Sequence, residues 1–527
     1  VEDPGQGFGI AANGFGISEY VRGWGVKAMY SNNTQIPSIP VEKDVTYDLG
    51  LYLTGDSYPG SFSVYLEDKD GQTNSNVITI NNIGNDWKKY EGQLKAERSV
   101  DSRLCIVADA AGTFYLDFVT IVPEASQLWM EGKYGPFRKD LLQALADLNP
   151  TFMRFPGGCA SEGTDYWGQV FWKNSIGPVE ERIGFRNHWG YWTSQHIGFY
   201  EYLLMAESLG ATPLPVFNNG VTCQFAGHKY VAPLETQEDR DRFQSIFVDD
   251  VLDFIEFCNG GVNTEWGAKR AAMGHPEPFN LKYVGIGNEN RGDAFWERFD
   301  IIYKAVKAKH PEIIIVSTAG SADSGKEFDA NVKVIDELYP DTIVDEHYYK
   351  GDDWFYTHGD RYEPGKVRGA EGKTYDRSNP ARVFVGEFAN NRTNNAYAST
   401  MAEAAYWTSL ERNSDMVVMA AYAPLFCKKG YNKWNSNLIW FDNRGMWRST
   451  NYYYQKLFSV AGDRAFEMTP AMEGAVADTT VYMSPTIDTE SGEIFIKFVN
   501  SECVDKVFTI NTGNKNVYEA SVEFISS

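Results

Sequence analysis

At 527 residues the chain is long enough for about two to four folded units, and its 43% hydrophobic and 15% aromatic content is that of a globular protein. A formal net charge of −23 argues against nucleic-acid or anionic-membrane partners, which need a basic face, and leaves neutral substrates open. No apolar run reaches the ~18 residues of a membrane helix. The opening Val1-Glu2-Asp3-Pro4-Gly5 is not a signal peptide, so localisation stays open, with a secreted or periplasmic site the leading expectation.

Residues 1–125 read as all-β. Tyr47, Leu49, Leu51 and Leu53 alternate, as do Phe62, Val64 and Leu66, and Gly55-Asp56 and Asp70-Gly71 supply turns. The stretches 104–107 and 114–122 continue the pattern, which predicts a β-sandwich. From residue 126 the character changes. Phe137, Leu141, Leu145 and Leu148 share one helical face, and Asn149-Pro150 ends that helix. Short apolar strands then alternate with amphipathic helices. Strands are expected at 152–155, 212–217, 281–286, 313–317, 342–345, 382–385 and 416–419, with helices at 199–209, 243–257, 295–308, 332–338 and 400–411. Apolar strands alternating with helices mean a parallel sheet covered by helices, and a (β/α)8 TIM barrel over residues 126–460 is expected. Seven strands are read where closure needs eight, so the first barrel strand is expected upstream of Val1, with residues 1–125 inserted after it. Residues 461–527 are β again, at 480–483, 494–498, 507–510 and 520–524, and predict a C-terminal β-sandwich that is incomplete as it stands.

Six cysteines, at 105, 159, 223, 258, 427 and 503, lie far apart, with no CxxC and no histidine cluster at metal-ligand spacing. Neither a metal nor a cofactor is expected.

Barrel active sites collect at the C-terminal ends of the strands. Those ends offer Arg154 to Cys159, Asn218-Asn219, Asn288-Glu289-Asn290, Asp345 to Tyr349, and Gly386-Glu387. Two glutamates at separate strand ends, Glu289 and Glu387, are what glycosidic cleavage requires. One carboxyl donates a proton to the leaving oxygen, and the other attacks the anomeric carbon or activates water. Asn288 could bind the hydroxyl beside the reacting carbon. Tyr349 or Tyr348 could orient the nucleophile, and His347 could serve in the same group. Cys159 reads as packing or a pocket wall, because no base is evident beside it. Trp167, Trp172, Trp189, Trp192 and Trp434 divide between core and sugar platform.

The segment Arg154-Phe-Pro-Gly-Gly-Cys159, followed by Trp167, Ile176-Gly-Pro178 and Glu180-Glu-Arg182, resembles the second-strand loop of glycoside hydrolase family 51, the α-L-arabinofuranosidases. Residues 283–289 resemble that family's fourth-strand acid/base segment, 345–349 its sixth strand, and 385–388 its seventh-strand nucleophile. Residues 421–426, Trp434 and Asn437 to Asp442 resemble the eighth-strand region. The resemblance implies a retaining hydrolase releasing terminal α-L-arabinofuranosyl groups from arabinan, arabinoxylan or their oligosaccharides, with Glu289 as acid/base and Glu387 as nucleophile. It implies substrate contacts from Arg154, Cys159, Asn288, His347, Tyr349, Trp434 and Asn437, a carbohydrate-binding-like module at residues 1–125, and a homo-oligomer as a possible assembly. The carboxyl groups should then lie about 5 Å apart. The family's first-strand sugar-binding glutamate has no match here. Two rivals stand beside this reading: an endo-β-1,4-glucanase or xylanase on the same barrel, and a non-catalytic carbohydrate-binding protein.

Overall fold

The computed structural model describes residues 10–11, 16–17, 39–124, 137–190, 192–368, 373–375, 377–378, 381–393, 395–466, 479–502, 504–511, 517 and 519–525. The chain divides into two compact units, Val1–Gln143 with Asp442–Gly445, and Ala144–Phe441 with Met446–Ser527.

The first unit is a β-sandwich. One antiparallel sheet holds Ile39–Pro40, Asp101–Ala108, Phe62–Asp68 and Ile78–Ile80; the other holds Lys88–Lys95, Thr46–Asp56 and Thr113–Pro123. The period-2 alternation does what it predicts, because successive strand residues face opposite sides. Leu49, Leu51 and Leu53 from one sheet bury against Phe62, Val64 and Ile80 from the other. Each such apolar side chain contributes roughly 1.5–3 kcal/mol by leaving water. At the Asp70-Gly71 turn, Gly71 takes φ +78 and the Asp68 carboxylate accepts the N–H groups of Asp70 and Gln72, each at 2.9 Å.

The second unit is built on seven parallel strands in the order Phe152–Phe155, Thr212–Phe217, Tyr283–Ile286, Ile314–Thr318, Ile343–Lys350, Arg382–Asn390 and Val417–Tyr422. Every one sends a side chain into a single inner cluster, Leu214, Val216, Val316, Ile343 and Phe384 with Phe152, Tyr283 and Met419 packed on it. Phe152 of the first strand meets Phe384 of the sixth edge-on, with ring centroids 5.3 Å apart. That closeness across the sheet is the signature of a filled barrel interior. The unit is therefore a TIM-type barrel, with seven of its strands among the described residues. Phe199–Ser208, Asp293–Lys309, Lys326–Leu338 and Tyr397–Arg412 are the expected helices. The expected 243–257 helix runs from Gln237 to Asn259 through one wide turn at Gln244–Val248.

Two expectations change. The strands Ile343–Lys350 and Arg382–Asn390 extend about five residues beyond the apolar runs that announced them. Their polar continuations bond to one another and to neighbours instead of to water, so periodicity stopped where the ladder did not. In the C-terminal segment, Arg464–Ala465, Val481–Ile487 and Ile494–Asn500 form an antiparallel sheet. Val499 of that sheet packs with Ala404, Ala405, Tyr454 and Phe458 from the helices Tyr397–Arg412 and Thr450–Phe458. The strands expected at 507–510 and 520–524 are not strands among the described residues. Val507, Val522 and Phe524 are 95%, 84% and 78% exposed, and no described ladder receives them.

Candidate active site

The site begins with two register choices. Between Ile343–Lys350 and Arg382–Asn390 the pairing runs Glu346 to Val385 and then His347 to Glu387, so Gly386 is an extra residue in the ladder. Such a bulge re-aims the side chain after it. Only glycine fits there, because a Cβ on Gly386 would stand 1.8 Å from Asp345 Oδ1. Strand alternation then sends Asp345, His347 and Tyr349 into the site. Glu346 and Tyr348 point the other way, Glu346 to Arg361 (2.9 Å) and Tyr362 (2.9 Å), and Tyr348 to the hydroxyls of Tyr362 (3.0 Å) and Tyr406 (2.9 Å). At the end of Tyr283–Ile286, Glu289 adopts φ +53, a left-handed conformation that costs of order 1–3 kcal/mol and concentrates at functional sites.

Glu387 is the centre of a buried charge network. Arg154 donates from Nη1 to Glu387 Oε1 (2.9 Å) and from Nη2 to Asn288 Oδ1 (2.6 Å). The Tyr349 hydroxyl donates to Glu387 Oε2 (2.8 Å). His347 Nδ1 lies 2.8 Å from Glu289 Oε1 and 3.7 Å from Glu387 Oε2, so one imidazole joins both carboxylates. Its Nε2 is 3.1 Å from Asp345 Oδ2, a charge contact without the alignment of a hydrogen bond. Carboxylate oxygens of Glu289 and Glu387 and a ring nitrogen of His347 all lie within 4.8 Å of one another.

The electrostatics are set by this packing. Burial alone would raise the Glu387 carboxyl, but the charges of His347 and Arg154 and the Tyr349 hydroxyl outweigh it and hold it below its ordinary value. Burial would likewise lower His347, yet Asp345 and Glu387 hold it well above the usual imidazole range. Burial and the neighbouring carboxylates push the Tyr349 phenol up, which keeps it a donor. With the Arg154 guanidinium already bonded to Glu387, the Glu289–His347–Glu387 group is a poor metal cage.

Asn288 spends its oxygen on Arg154, and its Nδ2 has no partner among the described residues, which leaves a donor for a sugar hydroxyl. Trp434 packs on Tyr349 (centroids 5.1 Å) and on Trp189 (5.9 Å). Asn437 acts locally: its amide donates to Trp434 O (3.0 Å), and its backbone N–H donates to Asn395 Oδ1 (3.0 Å). Cys159 lies in the turn after Phe152–Phe155, beside Cys223. Of the other tryptophans, Trp172 is fully buried against Phe254, Phe257 and Trp266, and Trp167 is 82% exposed.

Three partners were missed. Asp345 was legible, since it shares the alternation of His347 and Tyr349. Gln224, which donates to Glu289 Oε2 at 2.6 Å, sits in a loop with no periodic signal. Glu162 is fully buried, accepts the Asn288 N–H at 2.8 Å, and is pushed well above its ordinary value by burial. It therefore anchors the backbone of the Asn288-Glu289 turn.

The description "Alpha-L-arabinofuranosidase 1 domain" matches residues 144–367, "Alpha-L-arabinofuranosidase C-terminal domain" residues 374–518, and "Carbohydrate binding domain" residues 24–108. An extracellular exo-α-L-arabinofuranosidase of Streptomyces chartreusis is 37% identical over 443 residues, 81% of this chain and 50% of that protein. Alpha-L-arabinofuranosidase 1 of Arabidopsis thaliana is 32% identical over 432 residues, 80% of this chain and 57% of that one. The chain thus spans little more than half the length of these curated relatives. The solved structure of arabinose-bound MgGH51 α-L-arabinofuranosidase superposes with a TM-score of 0.73 at 26% identity, covering 88% of this chain and 72% of that one. With two ordered family domains across the barrel and the C-terminal segment, the chain belongs to glycoside hydrolase family 51, the α-L-arabinofuranosidase family.

Proposed function

We propose that the protein is a retaining glycosidase that releases terminal α-L-arabinofuranosyl groups from arabinan, arabinoxylan or their oligosaccharides, with Glu387 as nucleophile and Glu289 as acid/base. The observation that carries this is the approach of two buried carboxylates to within 4.8 Å around one imidazole. That separation favours direct attack over inversion, where about 6.5–9.5 Å leaves room for a water. An ionised Glu387 suits the nucleophile. Its oxygen bonds the anomeric carbon as the glycosidic C–O bond breaks, and the leaving oxygen takes the proton of Glu289. Glu289 then takes a proton from water, whose oxygen bonds the anomeric carbon and frees Glu387. Arg154 and Tyr349 fix the attacking carboxylate, and the free Asn288 amide is placed for the hydroxyl beside the reacting carbon. The names of the relatives support arabinofuranosyl specificity, and the Streptomyces description supports secretion.

Leaving-group dependence tests the roles. Glu289→Ala should lose about 10²–10⁴-fold in kcat on substrates with poor leaving groups and little on activated aryl arabinofuranosides. Glu387→Ala should lose turnover on both. Equal losses for Glu289→Ala across leaving groups would remove it as proton donor. Faster turnover of β-1,4-glucan or xylan than of an arabinofuranoside chromogen would favour the endo-acting alternative.

A further inference from the structure

Cys159, His188 and Cys223 come from three separate segments of the barrel unit. Cys159 lies in the turn Gly158–Ala160, His188 in the loop after Phe185–Arg186, and Cys223 caps the turn Gln224–Ala226. Nothing in their spacing of 29 and 35 residues announces a site, yet their two sulfurs and a ring nitrogen all lie within 4.8 Å of one another. The two thiols are buried, and His188 is half-buried. A second observation points to a ligand: His188 Nδ1 is shielded from solvent and has no hydrogen-bond partner among the described residues.

We propose that Cys159, His188 and Cys223 form a binding site for a thiophilic cation of the Zn²⁺ type, with a fourth position left to water. Two sulfurs and one imidazole nitrogen are a soft donor set matched to such an ion, and three protein ligands with one open position is an established zinc arrangement. Tetrahedral Zn–S bonds of about 2.3 Å and Zn–N bonds of about 2.0 Å put donor atoms about 3.5–3.8 Å apart, so donors now within 4.8 Å would close by up to about 1 Å on binding. On binding, the thiols release their protons to solvent and the imidazole binds as the neutral base. The Cys159–Cys223 hydrogen bond, together with backbone N–H donors, already holds the Cys223 thiol below its ordinary value, and burial keeps His188 low. Occupied, the site would tie together two loops the carboxylates depend on. Gly158 is 3.3 Å, measured from where its Cβ would be, from Glu387 Oε1, and Gln224 donates to Glu289.

The test uses the full chain, reduced, stripped with a chelator, and titrated with Zn²⁺ and separately with Co²⁺. The expected result is one tightly held ion per chain, a thiolate-to-cobalt charge-transfer band, and a higher melting temperature in excess Zn²⁺. Cys223→Ser and His188→Ala should each weaken binding by about 10–100-fold or more, since even outer-shell changes cost that much. Circular dichroism of each variant checks that it folds. Binding unchanged in both folded variants, no charge-transfer band, or no retained ion in the reduced protein overturns the proposal. None of these readouts depends on glycosidase activity, so failure here is separable from failure of the assigned reaction.

Discussion

Tyr349 shows how much one hydroxyl can do at the residue scale. It is a donor to a buried carboxylate that burial alone would neutralise, and it stands beside Arg154 and His347 in reversing that tendency. A hydrogen bond to a charged group contributes about 1.5–3 kcal/mol, so Tyr349→Phe should lower kcat by about 10–100-fold. Losing a donor to the charged form raises the Glu387 carboxyl, so the acid limb of the kcat/KM profile should also move to higher pH. Steady-state kinetics across pH would show both effects, and an unmoved acid limb would separate Tyr349 from the ionisation of Glu387. The same residue shows what alternation can decide. Tyr348 and Tyr349 are equally plausible by type, but only the residue two places from His347 shares its side of the strand.

At the element scale, strands place the chemistry and helices hold the strands. Gly386 supplies the bulge that turns Glu387 toward His347, and no other residue fits beside Asp345. At the end of the same strand, Glu403 on the helix Tyr397–Arg412 accepts the Asn390 N–H (2.6 Å) and the Asn451 amide (2.6 Å). Burial raises its carboxyl from 4.5 to about 7 despite those bonds. The folded state therefore binds this proton more tightly than the unfolded chain. Its contribution to stability is complete below pH 4.5 and is lost as pH rises through about 7, a change of about 3 kcal/mol. Glu403→Gln keeps the shape and removes the titration. Thermal melts between about pH 5 and pH 8 should decline less steeply for the variant than for the parent. Parallel curves would show that Glu403 is not the source of the slope.

At the scale of the whole molecule, the strong negative charge and the sandwich unit both suit an uncharged polymer as substrate. Trp87 and Tyr115 of that unit are 52% and 56% exposed, so each offers a ring on which a sugar could stack. Trp87→Ala should weaken retardation by soluble arabinoxylan in affinity electrophoresis by about 2–10-fold, the worth of one aromatic contact. Hydrolysis of a small arabinofuranoside should stay unchanged. Equal retention of parent and variant would remove Trp87 as a binding platform.

The sequence by itself determined the sandwich and the barrel and put Glu289 and Glu387 at strand ends, because side-chain period and strand-end position are local properties that a single chain carries openly. Asp345, too, was available from alternation alone. Only the tertiary structure decided that Gln224 bonds Glu289 and Glu162 the Asn288 backbone, that residues 507–510 and 520–524 join no ladder among the described residues, and that Cys159, His188 and Cys223 meet. Those outcomes depend on which loops converge and which strands find partners. Convergence of segments tens of residues apart is a product of packing, which leaves no periodic mark on the chain.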